Sequence, residues 1–430
     1  MPAPARLLYS ATFYLLAPIV LLRLLLRGIA APGYLRRWPE RFGFVPAAAK
    51  QEKIIWLHAV SVGETLAAVP LVKALQKNYP DHRLLVSCMT PTGSERVMAA
   101  FGSSVLHSYA PYDTPGAVAR FLERVRPEML IIMETELWPN TVAACHGRQI
   151  PVLLANARLS EKSARGYGRV SSLSRSMFAQ LTAVAAQHSA DGTRFEALGL
   201  PADNLFITGN IKFDLDLSGQ LRLNAEELAQ HWRGDNQRPV LLAASTHRGE
   251  DEIILQAFAM IRQHVGNALL VLVPRHPERF KQVGELCLEA GFSLARRSSN
   301  DSVKQADVLL GDTMGELMSF FGACDIAFVG GSLVANGGHN MIEPAAWGKP
   351  VLSGPSQFNF AEVSRLLTEA GGLQICDGAE ALAEQVVALM KNPQQARQMG
   401  QRAHQVAEAN RGALEKLLKV IDRNLRPPEY

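Results

Sequence analysis

Short, nearly all-apolar segments of six or seven residues recur in two successive series along this chain, separated by stretches with helical patterning. The first series is 54–60 (IIWLHAV), 84–89 (LLVSCM), 105–110 (VLHSYA), 129–135 (MLIIMET), 151–157 (PVLLANA), 182–187 (TAVAAQ) and 205–210 (LFITGN). The second is 240–245 (VLLAAS), 269–274 (LLVLVP), 307–312 (DVLLGD), 326–331 (IAFVGG) and 350–355 (PVLSGP). Strands apolar on both sides belong to parallel sheets covered by helices on both faces. The alternation therefore predicts two Rossmann-like α/β units, for which 430 residues suffice. Between the series, residues 213–235 turn polar, end in RGDNQRP and read as a linker; residues 379–424 read as helical and charged, before Arg426-Pro427-Pro428.

Ahead of the first unit, residues 7–26 read LLYSATFYLLAPIVLLRLLL, broken only by Pro18 and Arg23. That is about the 20 residues needed to cross a bilayer. Arg27, Arg36, Arg37 and Arg41 follow, interleaved with Tyr34 and Trp38. Positive charge on this side favours keeping everything downstream in the cytoplasm. Ala30-Ala31 would suit a cleaved signal, but a signal carries its charge before the apolar core. The segment reads as an anchor to inner-membrane lipids, and apolarity alone does not choose between spanning and lying in the interface. The expected division is 1–30, 31–215 and 216–430.

The remaining composition removes several classes of function. Net charge is only +4, and no Lys/Arg run is interleaved with aromatics, so no nucleic acid is expected as a partner. Cys88, Cys145, Cys287, Cys324 and Cys376 are scattered, odd in number and without a C-x-x-C pair, as buried free thiols in a reducing compartment would be. There is no G-x-x-x-x-G-K-[ST], no G-x-G-x-x-G after a strand and no G-x-S-x-G elbow. Asp214-Leu215-Asp216 is a D-x-D triplet, but it falls in the linker and not at a central strand end. With no H-E-x-x-H either, neither metal nor cofactor is expected.

In doubly wound sheets ligands bind beyond the carboxyl ends of the strands. In the first unit HAVSVGET (58–65) would leave its strand through Ser61 and Gly63 and enter a helix at Glu64. Glu64 is placed to take a proton from a hydroxyl, or to cap its helix. Glu134-Thr-Glu136 puts two carboxylates at another strand end, where burying both without partners is costly. The basic stretch 156–177, with Arg158 and Lys162, suits an anionic ligand or a solvated face. In the second unit, Ser245-Thr246-His247 forms a strand-to-helix corner, suited to a sugar or phosphate contact or to an N-cap. Arg275-His276 could fork onto phosphate or carboxylate, or form a surface ion pair. The run from Val329 to Ala346 holds four glycines and would open a helix near Gly338 whose free N–H groups suit a phosphate. Glu343, one turn in, could accept from two ribose hydroxyls.

Together HAVSVGE, ETELWPN, NARLSEKS, GNIKFD, VPRHPER, GDTMGEL and GGSL…GGHNMIEPA resemble the 3-deoxy-D-manno-octulosonic acid (Kdo) transferases of Gram-negative lipopolysaccharide synthesis, over nearly the whole chain. The resemblance implies a GT-B fold, two Rossmann-like domains facing across a cleft, with an acceptor-binding first domain and a nucleotide-sugar-binding second one. It implies CMP-Kdo as donor, a phosphorylated tetraacylated lipid A precursor as acceptor, and metal-free inverting transfer. Glu64 is the implied base and Glu136 a supporting carboxylate, with Arg275, Ser332, Asn340 and Glu343 around CMP. The rival readings are a UDP-sugar transferase acting on a lipid, a related sugar-nucleotide epimerase, and an anchored two-domain solute-binding protein.

Overall fold

The computed structural model describes residues 4–234 and 237–425. Asp235 and Asn236 of the expected linker, and the Arg426-Pro427-Pro428 end, lie outside the described residues. The chain forms two compact units, Met1–Asp214 with Arg411–Tyr430, and Leu215–Asn410.

The first unit is built on β1 (Lys53–His58), β2 (His82–Cys88), β3 (Leu106–Tyr109), β4 (Met129–Met133), β5 (Val152–Ala157), β6 (Ala183–Ala186) and β7 (Leu205–Ile207). All pair in parallel, in the order β3-β2-β1-β4-β5-β6-β7. Side chains alternate between faces: Ile55 and Leu57 enter one core, Ile54 and Trp56 the other. The second unit carries β8 (Val240–Thr246), β9 (Leu269–Pro274), β10 (Leu294–Arg296), β11 (Val308–Leu310), β12 (Ile326–Val329), β13 (Val351–Ser353) and β14 (Leu373–Ile375). Their order is β10-β11-β9-β8-β12-β13-β14, again all parallel. The five segments read from sequence are the middle of this sheet. The two edge strands it adds, β10 and β14, are three residues long and include Arg296 and Gln374, too short and too polar to register as apolar runs.

The stretch expected to be a linker is mostly helix. Ser218 caps Gly219–Arg233 by accepting from the Leu221 amide at 3.3 Å. Ala225, Leu228, Ala229 and Trp232 fall at i, i+3, i+4 and i+7 and pack into the second unit, with Trp232 and Phe320 rings 5.3 Å apart. The last helix, Ala413–Leu425, was expected with the second unit and instead belongs to the first. Leu417, Val420 and Ile421 share a core with Ile55 and Leu57, and the Tyr79 hydroxyl donates to Asp422 at 3.1 Å. Asp214 accepts from the Gly412 and Leu414 amides, each at 2.5 Å, so the chain leaves and re-enters the first unit at one point. That commits half of the D-x-D triplet to a structural task; Asp216 is exposed.

The N-terminal helix, Pro4–Ala30, is long and apolar enough over Pro4–Ile29 to cross a membrane, by length and composition. It is not a free appendage. The Ser10 hydroxyl donates to Asn140 at 3.0 Å, Tyr9 hydrogen-bonds Asp113, and the Tyr14 hydroxyl accepts from the Gly116 amide at 3.4 Å. Leu8, Leu15, Ile19 and Leu26 stay exposed on the other side. Two arginines counted as charge flanking the apolar segment also serve the fold. Arg37 pairs with Glu40 at 2.7 Å; Arg41 is buried, donates to the Met89 carbonyl and lies 4.1 Å from the Tyr109 ring centre.

In each sheet the strand order reverses between two neighbours, β1 and β4 in the first and β8 and β12 in the second. Loops leaving such neighbours lie side by side and diverge, the arrangement that makes room for a ligand.

Candidate active site

In the first unit β1 hands over to the helix Val62–Asn78, with Ser61 as its N-cap. Gly63 lies inside the first turn and not in the connection the sequence suggested. A side chain added there would meet nothing nearer than Ser61 Oγ at 3.9 Å, so the space beside it is open. Ser61 and Glu64 form a reciprocal capping box: the Glu64 amide donates to Ser61 Oγ at 3.2 Å and the Ser61 hydroxyl to Glu64 Oε1 at 2.7 Å. The Val60 amide holds Oε2 at 2.8 Å. Both readings of Glu64 thus sit on one side chain, because capping does not remove its charge chemistry. The residue is 7% exposed. Burial pushes its carboxyl up to about 7, against the pull of Ser61 and Val60, and the charges of Glu136 and Glu134 push the same way.

Those two carboxylates leave the neighbouring strand β4. Glu134 has φ +55°, a left-handed conformation uncommon for a residue with a side chain. Its carboxylate pairs with Lys212 at 3.2 Å. Burial raises the Glu136 carboxyl, a hydrogen bond from Trp138 opposes this, and Glu134 adds to the rise. The Thr135 hydroxyl donates to the Arg158 carbonyl, which fixes the start of the basic stretch beside this turn. Arg158 and, in the helix Glu161–Arg169, Lys162 are exposed. The switch point therefore holds one carboxyl poised near neutrality and two more close enough to raise it.

In the second unit β8 ends through Ser245, also left-handed at φ +58°, at a break in register with β9. Thr246 is fully buried; its hydroxyl donates to Asp251, which also pairs with Arg279. The glycine run, expected to approach a ligand closely, wraps at 330–333 around the protein itself. Gly330 lets β12 approach β8, since a methyl there would stand 2.8 Å from the Ser245 carbonyl oxygen, and Gly331 has φ +69°. The turn they make aims three amides, joined by that of His247, at one buried carboxylate, Glu250. Oε2 accepts from His247 at 2.9 Å and Gly331 at 2.7 Å, and Oε1 from Ser332 at 2.9 Å and Leu333 at 2.8 Å. Ser332 is fully buried, donating to the Val329 carbonyl and accepting from the Gly354 amide. Thr246 and Ser332, read as ligand contacts, are supports of the loop. The helix expected near Gly338 starts at Ile342 and runs only to Ala346, which puts Glu343 at its second residue.

What remains at these strand ends is Arg275, His276, His247, His339, Asn340 and Glu343. His247 and His339 stack at 5.0 Å with their Nε2 atoms 2.7 Å apart, and His276 lies edge-on to His247 at 5.3 Å. One of the facing nitrogens must carry the hydrogen and the other accept it. Burial lowers both pKa values, His339 to about 4, and the Arg275 charge lowers both further. Asn340 donates to Glu343 Oε1 at 3.1 Å and accepts from the Ile342 amide, fixing the carboxyl. Burial raises that carboxyl and Arg275 opposes the rise. Neutral imidazoles beside a guanidinium make a place that gains from a bound anion, with a carboxylate next to it able to accept from hydroxyls.

The sequence reading missed Glu250, Arg279, His339 and Lys212 as determinants. Lys212 and Arg279 lie in the quoted GNIKFD and VPRHPER, but their partners are remote in sequence. Glu250, in STHRGED, looks like any solvated helix start.

A family model described as 3-Deoxy-D-manno-octulosonic-acid transferase (kdotransferase) matches residues 36–215. The chain is 44% identical to the 3-deoxy-D-manno-octulosonic acid transferase of Haemophilus influenzae, over 97% of this chain and 98% of that one. It is 36% identical to that of Bordetella pertussis, over 96% and 98% respectively. Among solved structures, the UDP-GlcNAc 2-epimerase of Neisseria meningitidis aligns with a TM-score of 0.56 at 16% identity, covering 85% of this chain and all of that one. At that identity the likeness speaks to the fold alone, which is of the GT-B type.

Proposed function

This chain belongs to the Kdo transferase family, glycosyltransferases of lipopolysaccharide lipid A–core assembly, and from that premise we propose how its two units divide the reaction. The donor is CMP-Kdo, held by the second unit. The acceptor is a phosphorylated, tetraacylated lipid A precursor, presented to the first. An acceptor hydroxyl attacks the anomeric carbon of Kdo on the face opposite CMP, the bond to the CMP phosphate oxygen breaks, and Glu64 takes the hydroxyl proton. The poise of Glu64 near 7, next to Glu134 and Glu136 at the β1/β4 reversal, carries this reading. A base titrating there is ionised enough to act at neutral pH and basic enough to hold the proton. Glu136 orients the acceptor. Arg158 and Lys162 attract its phosphates, with Ser61 and Gly63 beside the base leaving room for the sugar.

On the donor side, Arg275 with His247, His276 and His339 takes the phosphate, and Glu343, steadied by Asn340, takes the ribose hydroxyls, with Ser245 at the rim. This charge set serves without a metal. The N-terminal helix, docked along one side and apolar on the other, attaches the enzyme to the cytoplasmic face of the inner membrane. Incubating purified protein with CMP-Kdo and the lipid A precursor, and counting sugars added by mass spectrometry, tests the whole reading. Stabilisation by UDP and not by CMP in a thermal-shift titration would redirect it.

Two narrower outcomes follow. Glu343→Ala should weaken CMP binding by about 1.5–3 kcal/mol, the worth of hydrogen bonds to a charged group. Calorimetry showing wild-type affinity would move the ribose site elsewhere. CMP binding should also take up a proton at acidic pH. A phosphate beside His247 and His339 raises imidazole pKa values that burial has lowered, so affinity increases as pH falls through the bound-state value and levels off below the free-state one, about 4 for His339. Binding heats identical in buffers of different ionisation enthalpy would place the phosphate away from this pair.

A further inference from the structure

We infer that the N-terminal helix, Pro4–Ala30, lies flat in the membrane interface and does not cross the bilayer. The inference deepens the membrane attachment read above and rests on it, but its test separates orientation from attachment.

The helix has two long faces with opposite tasks. Leu8, Leu15, Ile19, Leu22, Leu26 and Ile29 recur at steps of three, four and seven residues, so they form one stripe along it. All six are 56–81% exposed. The opposite side is fastened to the first unit along its length. Near the start, Tyr9 and Ser10 hydrogen-bond Asp113 and Asn140, and one turn on the Tyr14 hydroxyl takes the Gly116 amide. The Phe13 ring lies 6.5 Å from that of Tyr112. In the middle, Ala17, Val20 and Leu21 face Phe42, Tyr112 and Ala117 across a small apolar cavity. Towards the end Leu24 is buried, and Leu35 packs on Gly28 so closely that a methyl there would stand 2.3 Å from it.

From Ser10 to Gly28 is about 27 Å of helix, nearly the ~30 Å of a hydrocarbon core. A spanning orientation would carry the loops at Asp113 and Asn140 into hydrocarbon, or strip them from the helix. These loops are polar: the Asp113 carboxylate holds the Asn140 and Thr141 amides and the Thr141 hydroxyl. Irregular backbone of this kind is not tolerated against lipid. Lying flat submerges the stripe alone, by about 5–10 Å, and leaves the docked face on the protein.

The charges agree. Arg23 and Arg27 are exposed, one turn apart, and fall beside the stripe and not within it, and the helix carries no acidic residue. In a flat helix both guanidinium groups reach lipid phosphates at headgroup level. The occupant of the stripe is therefore the surface of a bilayer containing anionic phospholipid. The placement also serves the reaction proposed above. Asp113 follows β3, and Asn140 follows the turn of β4 that carries Glu134 and Glu136, so the helix docks at the carboxyl ends of these strands. A lipid acceptor in the same leaflet presents its headgroup to that end without leaving the bilayer.

Nitroxides attached one at a time to Leu8→Cys, Leu15→Cys, Leu22→Cys and Ile29→Cys in the full chain report depth in vesicles of phosphatidylethanolamine and phosphatidylglycerol, from their relative exposure to oxygen and to a nickel chelate. The native cysteines are all buried, so the introduced one takes the label. The four sites are spaced by about 10 Å along the helix. A flat helix gives four equal depths. Shallow values at Leu8 and Ile29 with deep ones at Leu15 and Leu22 mean a spanning helix and overturn the inference while leaving the attachment intact. Ile19→Glu should weaken vesicle binding at least tenfold with an unchanged Tm, whereas Leu24→Glu, on the docked face, should lower the Tm. Vesicle binding untouched by Ile19→Glu, or labels shielded from both probes in a chain that runs as a dimer, would show that something other than lipid covers the stripe. Four labels exposed to nickel alone would sink the attachment itself.

Discussion

Glu64→Gln is expected to lower kcat by roughly 10²–10⁴-fold, the usual cost of a lost general base, with CMP affinity intact. The substitution is clean because of the capping box. A glutamine carbonyl can accept from the Val60 amide while its NH₂ donates to Ser61 Oγ, so the start of the helix keeps its cap. Only the ability to take a proton is lost. The wild-type rate should rise with pH through about 7, where Glu64 ionises, and this limb should vanish from the residual activity. Stability should move the other way. A carboxyl raised from near 4.5 to about 7 in the fold disfavours the native state progressively as pH climbs through that window, by at most about 3 kcal/mol above it. The inactive variant should therefore resist denaturant better than wild type at pH 8 and match it at pH 4. Glu136→Gln should cost less and act partly through the acceptor KM. If instead Glu64→Gln turns over normally and Glu136→Gln is dead, the roles are exchanged.

Glu250→Gln should do its damage in the second unit. Each carboxylate oxygen accepts two backbone amides, so turning either into NH₂ sets a donor against two buried donors. Breaking a buried charged network in this way costs about 3–5 kcal/mol. The loss should appear as faster hydrogen–deuterium exchange at the amides of His247, Gly331, Ser332 and Leu333, and as weaker CMP binding, because His247 and the β12 loop would no longer be held together. Exchange rates and CMP affinity like those of wild type would mean that the loop is held by its packing and not by this carboxylate.

The elements with the strongest apolar runs were legible because a strand covered on both faces has no polar side to disguise it. The edge strands β10 and β14 were not, being brief and half solvated. The helix at Gly219–Arg233 carried its signal in Ala225, Leu228, Ala229 and Trp232, but charged and amide side chains between them gave the stretch a polar average. For the site, sequence order places residues at strand ends without saying which ends are neighbours. Glu64 and Glu136 meet because β1 pairs with β4, and Glu250 reaches Gly331 because β8 pairs with β12. The glycine run was read as a sharp turn, with the free amides placed at a helix near Gly338, whereas the amides that converge are those of residues 331–333. What no local pattern could reveal is that the anion they bind is a side chain 81 residues upstream.

The return of the last helix to the first unit bears on how the molecule is made. A ribosome delivers the chain from its N-terminus, and domains generally fold in order of emergence. Here the residues of Leu215–Asn410 are all delivered before Leu417, Val420 and Ile421, which complete the core over β1 in the first unit. The unit that starts first thus finishes last, and until release its sheet carries an uncovered apolar strip on one face. A stalled or prematurely terminated chain would display a finished second unit and a first unit open to chaperones and proteases.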